Sequence, residues 1–133
     1  MKYDFLETTD ETFPRIVHVE TTNVCNIKCI HCPQADPYNL IPGYRPQYIE
    51  METWTKVVDE VAEFGRVLRL TPDGEPMLMK SWVAQVDYAL KKNVHTFCFN
   101  THGLFMDGDK MDVLFQDTNT QIAVEFSLDA LWK

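Results

Sequence analysis

Four short runs of β-branched and aromatic residues punctuate the chain, with helical periodicity between them. Ile16-Val17-His18-Val19, Val67-Leu68-Arg69-Leu70, Val94 to Phe99 and Ile122-Ala123-Val124-Glu125-Phe126 each read as a strand. Trp54, Val57, Val58, Val61 and Phe64 recur at helical spacing, and Gly65 is placed to close that helix in the left-handed conformation. Trp82, Val83, Val86, Ala89 and Leu90 mark a second helix, with Lys91 and Lys92 at its C-terminal end and Asn93 as its left-handed cap. Asp109 is the expected cap of a shorter third helix in which Met111, Leu114 and Phe115 face inward. Residues 33–48 hold Pro33, Pro37, Pro42, Gly43 and Pro46 and read as a long connection without periodicity.

This alternation predicts an α/β domain with a parallel sheet and right-handed crossovers, over residues 16–133 after a polar lead-in of 1–15. In such sheets ligands gather at the carboxyl ends of the strands. The chemically unusual residues fall there. Three cysteines follow the first strand, Asp73-Gly74-Glu75-Pro76 the second, Asn100-Thr101-His102-Gly103 the third and Ser127-Leu128-Asp129 the fourth. One rim therefore carries one candidate site.

Composition narrows the class without naming a function. The 133 residues are 45% apolar and 24% charged, the balance of a single soluble globular domain. Twelve Lys and Arg against 20 Asp and Glu leave a formal charge of −8 with no basic stripe, so neither nucleic acid nor an anionic membrane is an expected partner. No apolar run has the length of a membrane span, and Met1 to Phe5 lacks a signal core. A cytoplasmic protein is expected.

The cysteines carry the chemistry. Cys25, Cys29 and Cys32 form a C-x-x-x-C-x-x-C spacing, while the only other cysteine is Cys98, inside an apolar strand. Three thiols leave one unpaired in any disulfide scheme. Structural zinc needs four ligands, so it would require a distant histidine such as His95 or His102 to complete the set. A cubane iron–sulfur cluster held by three thiolates keeps one iron open, which is a place for reaction rather than for structure. Pro33, directly after the last cysteine, is expected to keep the backbone extended. Cys98 reads as a buried apolar thiol.

This spacing resembles the signature of the radical S-adenosylmethionine superfamily, and the text Val19-Glu20-Thr21-Thr22-Asn23-Val24 resembles that family's first strand leading into its cluster loop. The resemblance implies a partial β/α barrel in which Cys25, Cys29 and Cys32 hold a [4Fe–4S] cluster. S-adenosylmethionine would then chelate the open iron and be cleaved reductively to a 5′-deoxyadenosyl radical that abstracts hydrogen from a substrate. Asp73-Gly74-Glu75-Pro76 resembles the turn that receives the cofactor's amino group, implying contact through Glu75 and the backbone around Gly74, with Asp73 standing where a glycine is usual and calling a left-handed angle there into question. By the same resemblance Asn100 or Thr101 donates to its carboxylate, Ser127 and Asp129 contact its methionyl or ribose groups, and His31 packs beside the adenine. It further implies a small-molecule or peptide substrate and an electron donor of flavodoxin or ferredoxin type.

The text accommodates about four β/α units where the family's core usually has six. The expectation is therefore an incomplete core whose fourth strand is an open edge, leaving Ile122, Val124 and Phe126 short of cover and inviting self-association or a partner chain. The alternative reading is a non-catalytic iron–sulfur or zinc module, or an inactive truncated homologue.

Overall fold

The computed structural model describes residues 12–70 and 73–128, and the four strands lie side by side in chain order. They are β1 (Ile16–Val19), β2 (Val67–Leu70), β3 (Thr96–Thr101) and β4 (Gln121–Phe126), each parallel to its neighbour. Sequential parallel neighbours demand a crossover between each pair. The crossovers carry α1 (Pro37–Leu40) and α2 (Met51–Glu63), then α3 (Trp82–Lys91), then α4 (Gly108–Leu114).

Strand residues alternate between two faces, and the two faces differ in kind. Val17, Val19, Leu68, Leu70, Phe97, Phe99, Ile122 and Val124 belong to the apolar core, together with Trp54, Val58 and Val61 of α2 and Trp82, Val86 and Ala89 of α3. Trp54 and Trp82 are fully buried, and truncating either to Ala would cost about 3–5 kcal/mol. Trp54 Nε1–H donates to the Gln85 carbonyl at 3.0 Å, and Trp82 meets Phe99 edge-on at 4.8 Å. The opposite face carries His18, Arg69, Cys98, Asn100, Ala123 and Glu125, aligned by the strand register. None of these six belongs to the apolar core.

Helix ends follow the expected chemistry. Gly65 and Asn93 both take positive φ, at 60° and 55°. After α2 the N–H groups of Gly65 and Arg66 return to the carbonyls of Ala62 and Val61. After α3 those of Asn93 and Val94 return to Leu90 and Ala89, the same paired closure.

Several boundaries differ from the sequence expectation, each for a physical reason. Val94 is used in closing α3, so β3 begins at Thr96 and runs on through Asn100 and Thr101, which are strand rather than turn. Asp107, not Asp109, stands at the cap position of α4, and Phe115 falls past the helix end with its ring exposed. Pro33 opens a 3-10 turn, Pro33–Ala35, instead of an extended segment, because a proline suits a first helical position. The connection 33–48 is thus partly helical, and Tyr48 pairs with Thr22 in a single antiparallel bridge. Asp73 does not adopt positive φ. Ile122 and Val124 pack against the core, leaving Phe126 as the exposed member of the three.

Candidate functional site

The carboxyl ends of the strands converge on a cavity of about 390 Å³. Cys25, Cys29, Cys32 and His31 line it from the loop after β1, and Gly74 and Glu75 from the turn after β2. Asn100 and Thr101 at the end of β3 and Ser127 after β4 complete the residues singled out from sequence. Pro76 is buried and starts a 3-10 turn, Pro76–Leu78, outside the lining. Asp129 lies outside the described residues. All four cysteines are free thiols, and the three of the loop are half-buried.

The loop is fastened at its foot. Asn23 does most of this, accepting from the Gln47 N–H at 2.8 Å, donating to the Arg45 carbonyl at 2.8 Å and offering its own carbonyl to the Tyr44 hydroxyl at 3.2 Å. Thr22 Oγ1 donates to the Gln47 carbonyl and accepts from the Val24 N–H. Burial pushes the Tyr44 hydroxyl up from its ordinary value, with Tyr38, Tyr48 and Cys25 adding to the effect. At the tip the Cys32 N–H donates to the Cys29 carbonyl at 3.0 Å, and Ile30 between them is fully exposed.

Gly74 explains how the second turn meets this loop. A Cβ at that position would stand 2.5 Å from the Val24 carbonyl oxygen and 2.6 Å from that of Thr22. The two backbones are in direct contact, and the Glu75 N–H donates to Val24 O at 2.8 Å. Only glycine permits this approach.

Glu75 is the hub of the rim, at 3% exposure. Its Oε1 accepts from the Met77 N–H at 3.1 Å and the Thr101 hydroxyl at 2.8 Å, and its Oε2 from the His102 N–H at 3.1 Å. The Leu104 N–H donates to His102 Nδ1 at 3.1 Å, so a neutral ring carries its proton on Nε2. That nitrogen lies 3.0 Å from Asn26 Oδ1 and 3.4 Å from Glu75 Oε2. His102 thereby joins the β3 turn to the cysteine loop. From sequence it is a residue of that turn and a distant candidate for completing a zinc site.

Of a second polar group the sequence marked only Asn100. Arg69, midway along β2, lines the cavity and reaches across the inner face of the sheet. Its Nη2 donates to Glu125 Oε2 at 2.7 Å and Asn100 Oδ1 at 3.1 Å, while Asn100 Nδ2 donates to the same Glu125 oxygen at 2.7 Å. The available signal was a cation inside an otherwise apolar strand, with Asn100 and Glu125 at matching depths of the next two. Cys98 sits behind this trio at 5% exposure, and burial raises its thiol above the ordinary value, against the opposing pull of Arg69. At the outer rim Glu20 is raised, mainly by burial and secondarily by Asp73.

The donor set suits a cluster better than a single ion. Among the described residues no three His, Cys, Asp or Glu side chains gather tightly enough to hold one metal ion. The histidines considered for zinc are ill placed, since His95 precedes β3 at the far end of the sheet and both ring nitrogens of His102 are engaged. Three thiols spaced round a cavity, with polar strand ends opposite, fit a larger sulfur-bridged group and a ligand beside it.

Comparison with known proteins agrees with this layout. A PqqA peptide cyclase from Gluconobacter oxydans (strain 621H) is 28% identical over 101 residues, which is 76% of this chain and 27% of the relative. The chain thus spans about a quarter of the curated relative it matches. A structure of BtrN in an open conformation superposes with a TM-score of 0.67 at 15% identity, over 91% of this chain and 54% of that one. A structure of BtrN in complex with AdoMet and 2-DOIA gives 0.62 at 16%, over 75% and 40%. These two likenesses establish a shared fold. The family model of the radical SAM superfamily matches residues 19–132, from the end of β1 through β4, and the chain belongs to that superfamily.

Proposed function

We propose that this chain is the cluster- and cofactor-binding part of a radical S-adenosylmethionine enzyme, with Cys25, Cys29 and Cys32 as ligands of a [4Fe–4S] cluster. The carrying observation is that one cavity collects these three thiols with the turn residues Gly74 and Glu75 and the strand ends Thr101 and Ser127. When bound and reduced, such a cluster supplies an electron to the sulfonium of S-adenosylmethionine, releasing methionine and a 5′-deoxyadenosyl radical that takes a hydrogen atom from a substrate.

The chain's own residues have distinct tasks in this reading. The backbone around Asp73 and Gly74, its rim acids nearby, takes the cofactor's ammonium group. Glu75 builds that receptor by holding Thr101 and His102 in place from its buried position. Ser127 and Asp129 serve the ribose or methionyl end, and His31, exposed at the cavity mouth, stacks on the adenine. Ile30 brings the loop tip to the surface, where a flavodoxin- or ferredoxin-type donor can approach. The substrate is a small molecule or a peptide.

Anaerobic reconstitution with iron and sulfide tests the proposal. About four irons per chain and reductant-dependent 5′-deoxyadenosine are expected, with Cys25→Ala, Cys29→Ala or Cys32→Ala each losing most of both. Stoichiometric zinc without iron after anaerobic purification would refute it.

A further inference from the structure

Cys25 sits between two ties. On one side of it the Glu75 N–H donates to the Val24 carbonyl at 2.8 Å. On the other, Asn26 Oδ1 lies 3.0 Å from His102 Nε2. Among the described residues, the span 25–28 makes no other hydrogen bond. The far ends of the two ties are themselves joined, since the His102 N–H donates to Glu75 Oε2 at 3.1 Å. Residues 24, 25 and 26 therefore close a ring of hydrogen bonds with Glu75 and His102, and Cys25 is at its centre.

The His102 side chain is only 6% exposed, and both of its ring nitrogens are used. Packing on Phe105, whose ring centroid is 5.6 Å away, would be served as well by an apolar side chain. What the imidazole adds is direction. The Leu104 N–H donates to Nδ1, and the bond made by one ring nitrogen sets the role of the other. Nε2 is left as the donor and is aimed at Asn26 Oδ1, the nearer of two acceptors. The second, Glu75 Oε2 at 3.4 Å, already accepts from the His102 N–H.

We infer that His102 is a positioning residue of the cysteine loop, which acts through Asn26 to fix where Cys25 presents its sulfur. Groups standing behind the ligands of a metal site orient them in this way and tune how firmly they hold. Cys25 is then the set ligand, against which the two thiols of the loop tip close. The purpose of the hold rests on the cluster reading above, but the hold itself belongs to the apo chain.

Alkylation of the three loop thiols in the full apo chain, followed by mass spectrometry, reads that hold directly. Loss of one hydrogen bond should quicken the reaction of Cys25 about 2- to 13-fold and leave Cys29 and Cys32 at the wild-type rate. Asn26→Ala, a change at an exposed residue, should show this, and so should His102→Phe, which keeps a ring beside Phe105. The double variant should react no faster than either single one, since both remove the same bond. His102→Gln, whose amide nitrogen replaces Nε2, should bring Cys25 back toward the wild-type rate. In the anaerobically reconstituted chain, Asn26→Ala and His102→Phe should lose iron to a chelator faster than wild type, and His102→Gln should not. Should His102→Phe fail to fold, Asn26→Ala carries the test. Equal acceleration of all three thiols, additive effects in the double variant, or unchanged Cys25 reactivity in Asn26→Ala overturns the assignment alone. A wild-type chain that takes up no iron overturns the cluster reading, and the alkylation pattern still decides the hold on Cys25.

Discussion

Replacing Gly74 with Ala puts one methyl group where two backbones touch, and the outcome can be worked out in advance. The added Cβ would stand 2.5 Å from Val24 O and 2.6 Å from Thr22 O, neither of them a flexible side-chain end that can swing away. The turn after β2 and the foot of the cysteine loop must separate. Overpacking of this kind costs about 1–3 kcal/mol. Separation also breaks the bond from the Glu75 N–H to Val24 O, worth about 0.5–1.5 kcal/mol. The sum, about 1.5–4.5 kcal/mol, is a large share of the 5–15 kcal/mol typical of a domain. Gly65→Ala is the control. It has open space but φ +60°, so it should cost only about 1–2 kcal/mol of backbone strain, far from the site. Denaturant unfolding of both variants gives the energies, and iron uptake gives the consequence: Gly74→Ala should lose iron binding and Gly65→Ala keep it. A Gly74→Ala protein within about 0.5 kcal/mol of wild type, or one with full iron, would refute the argument.

Cys98 should resist alkylation in the folded apo chain while Cys25, Cys29 and Cys32 react, checked by mass spectrometry of the modified peptides; because its thiol is raised in the fold, stability should fall as pH climbs above about 8.5, and Cys98→Ala should flatten that slope. Asp59 is held below its ordinary value, first by the Lys92 ammonium and then by the Tyr88 hydroxyl, so the tie between α2 and α3 is present above about pH 4 and lost as pH falls through the lowered value; Asp59→Asn should remove that acid sensitivity from a thermal-melt series. Gln121 donates its N–H to His95, just before β3, and Ser127 to Thr101 of β3, so by the period of two the N–H groups of Ile122, Val124 and Phe126 face the side of β4 on which no strand lies among the described residues. We propose that this edge pairs with a second copy or a partner; light scattering should show concentration-dependent association that Phe126→Lys abolishes, and a wild-type monomer at all concentrations would refute it.

Much of the architecture was legible because it rests on periodicity. Ile16–Val19 and Val67–Leu70 were readable to the residue, as were the left-handed closures at Gly65 and Asn93, since strand alternation and helix caps are local. The cysteine loop was legible from spacing alone. What escaped depends on contacts across the sheet. Asn100 and Thr101 look like turn residues until Arg69, Glu125 and Glu75 are known to satisfy them, which lets β3 extend. The close approach of Gly74 to the backbone of Val24 and Thr22 joins segments about 50 residues apart, so no local pattern announces it. The helical turns in 33–48 leave no apolar stripe, so no pattern announced them.

The contrast between the foot and the tip of the cysteine loop bears on how the protein would acquire and lose iron. Asn23, Thr22 and Gly74 anchor the foot to segments 44–49 and 73–75 through contacts that involve no thiol. The segment bearing Cys29, Ile30 and Cys32 projects outward on a single turn. In small metal domains the ligand's binding energy is also the folding energy, and chelators melt them. Here the contacts at the foot involve no thiol, so on the proposed cluster reading loading and unloading are expected to be local events at a surface clasp. Oxidative loss of iron would then leave a folded, reloadable protein rather than a denatured one.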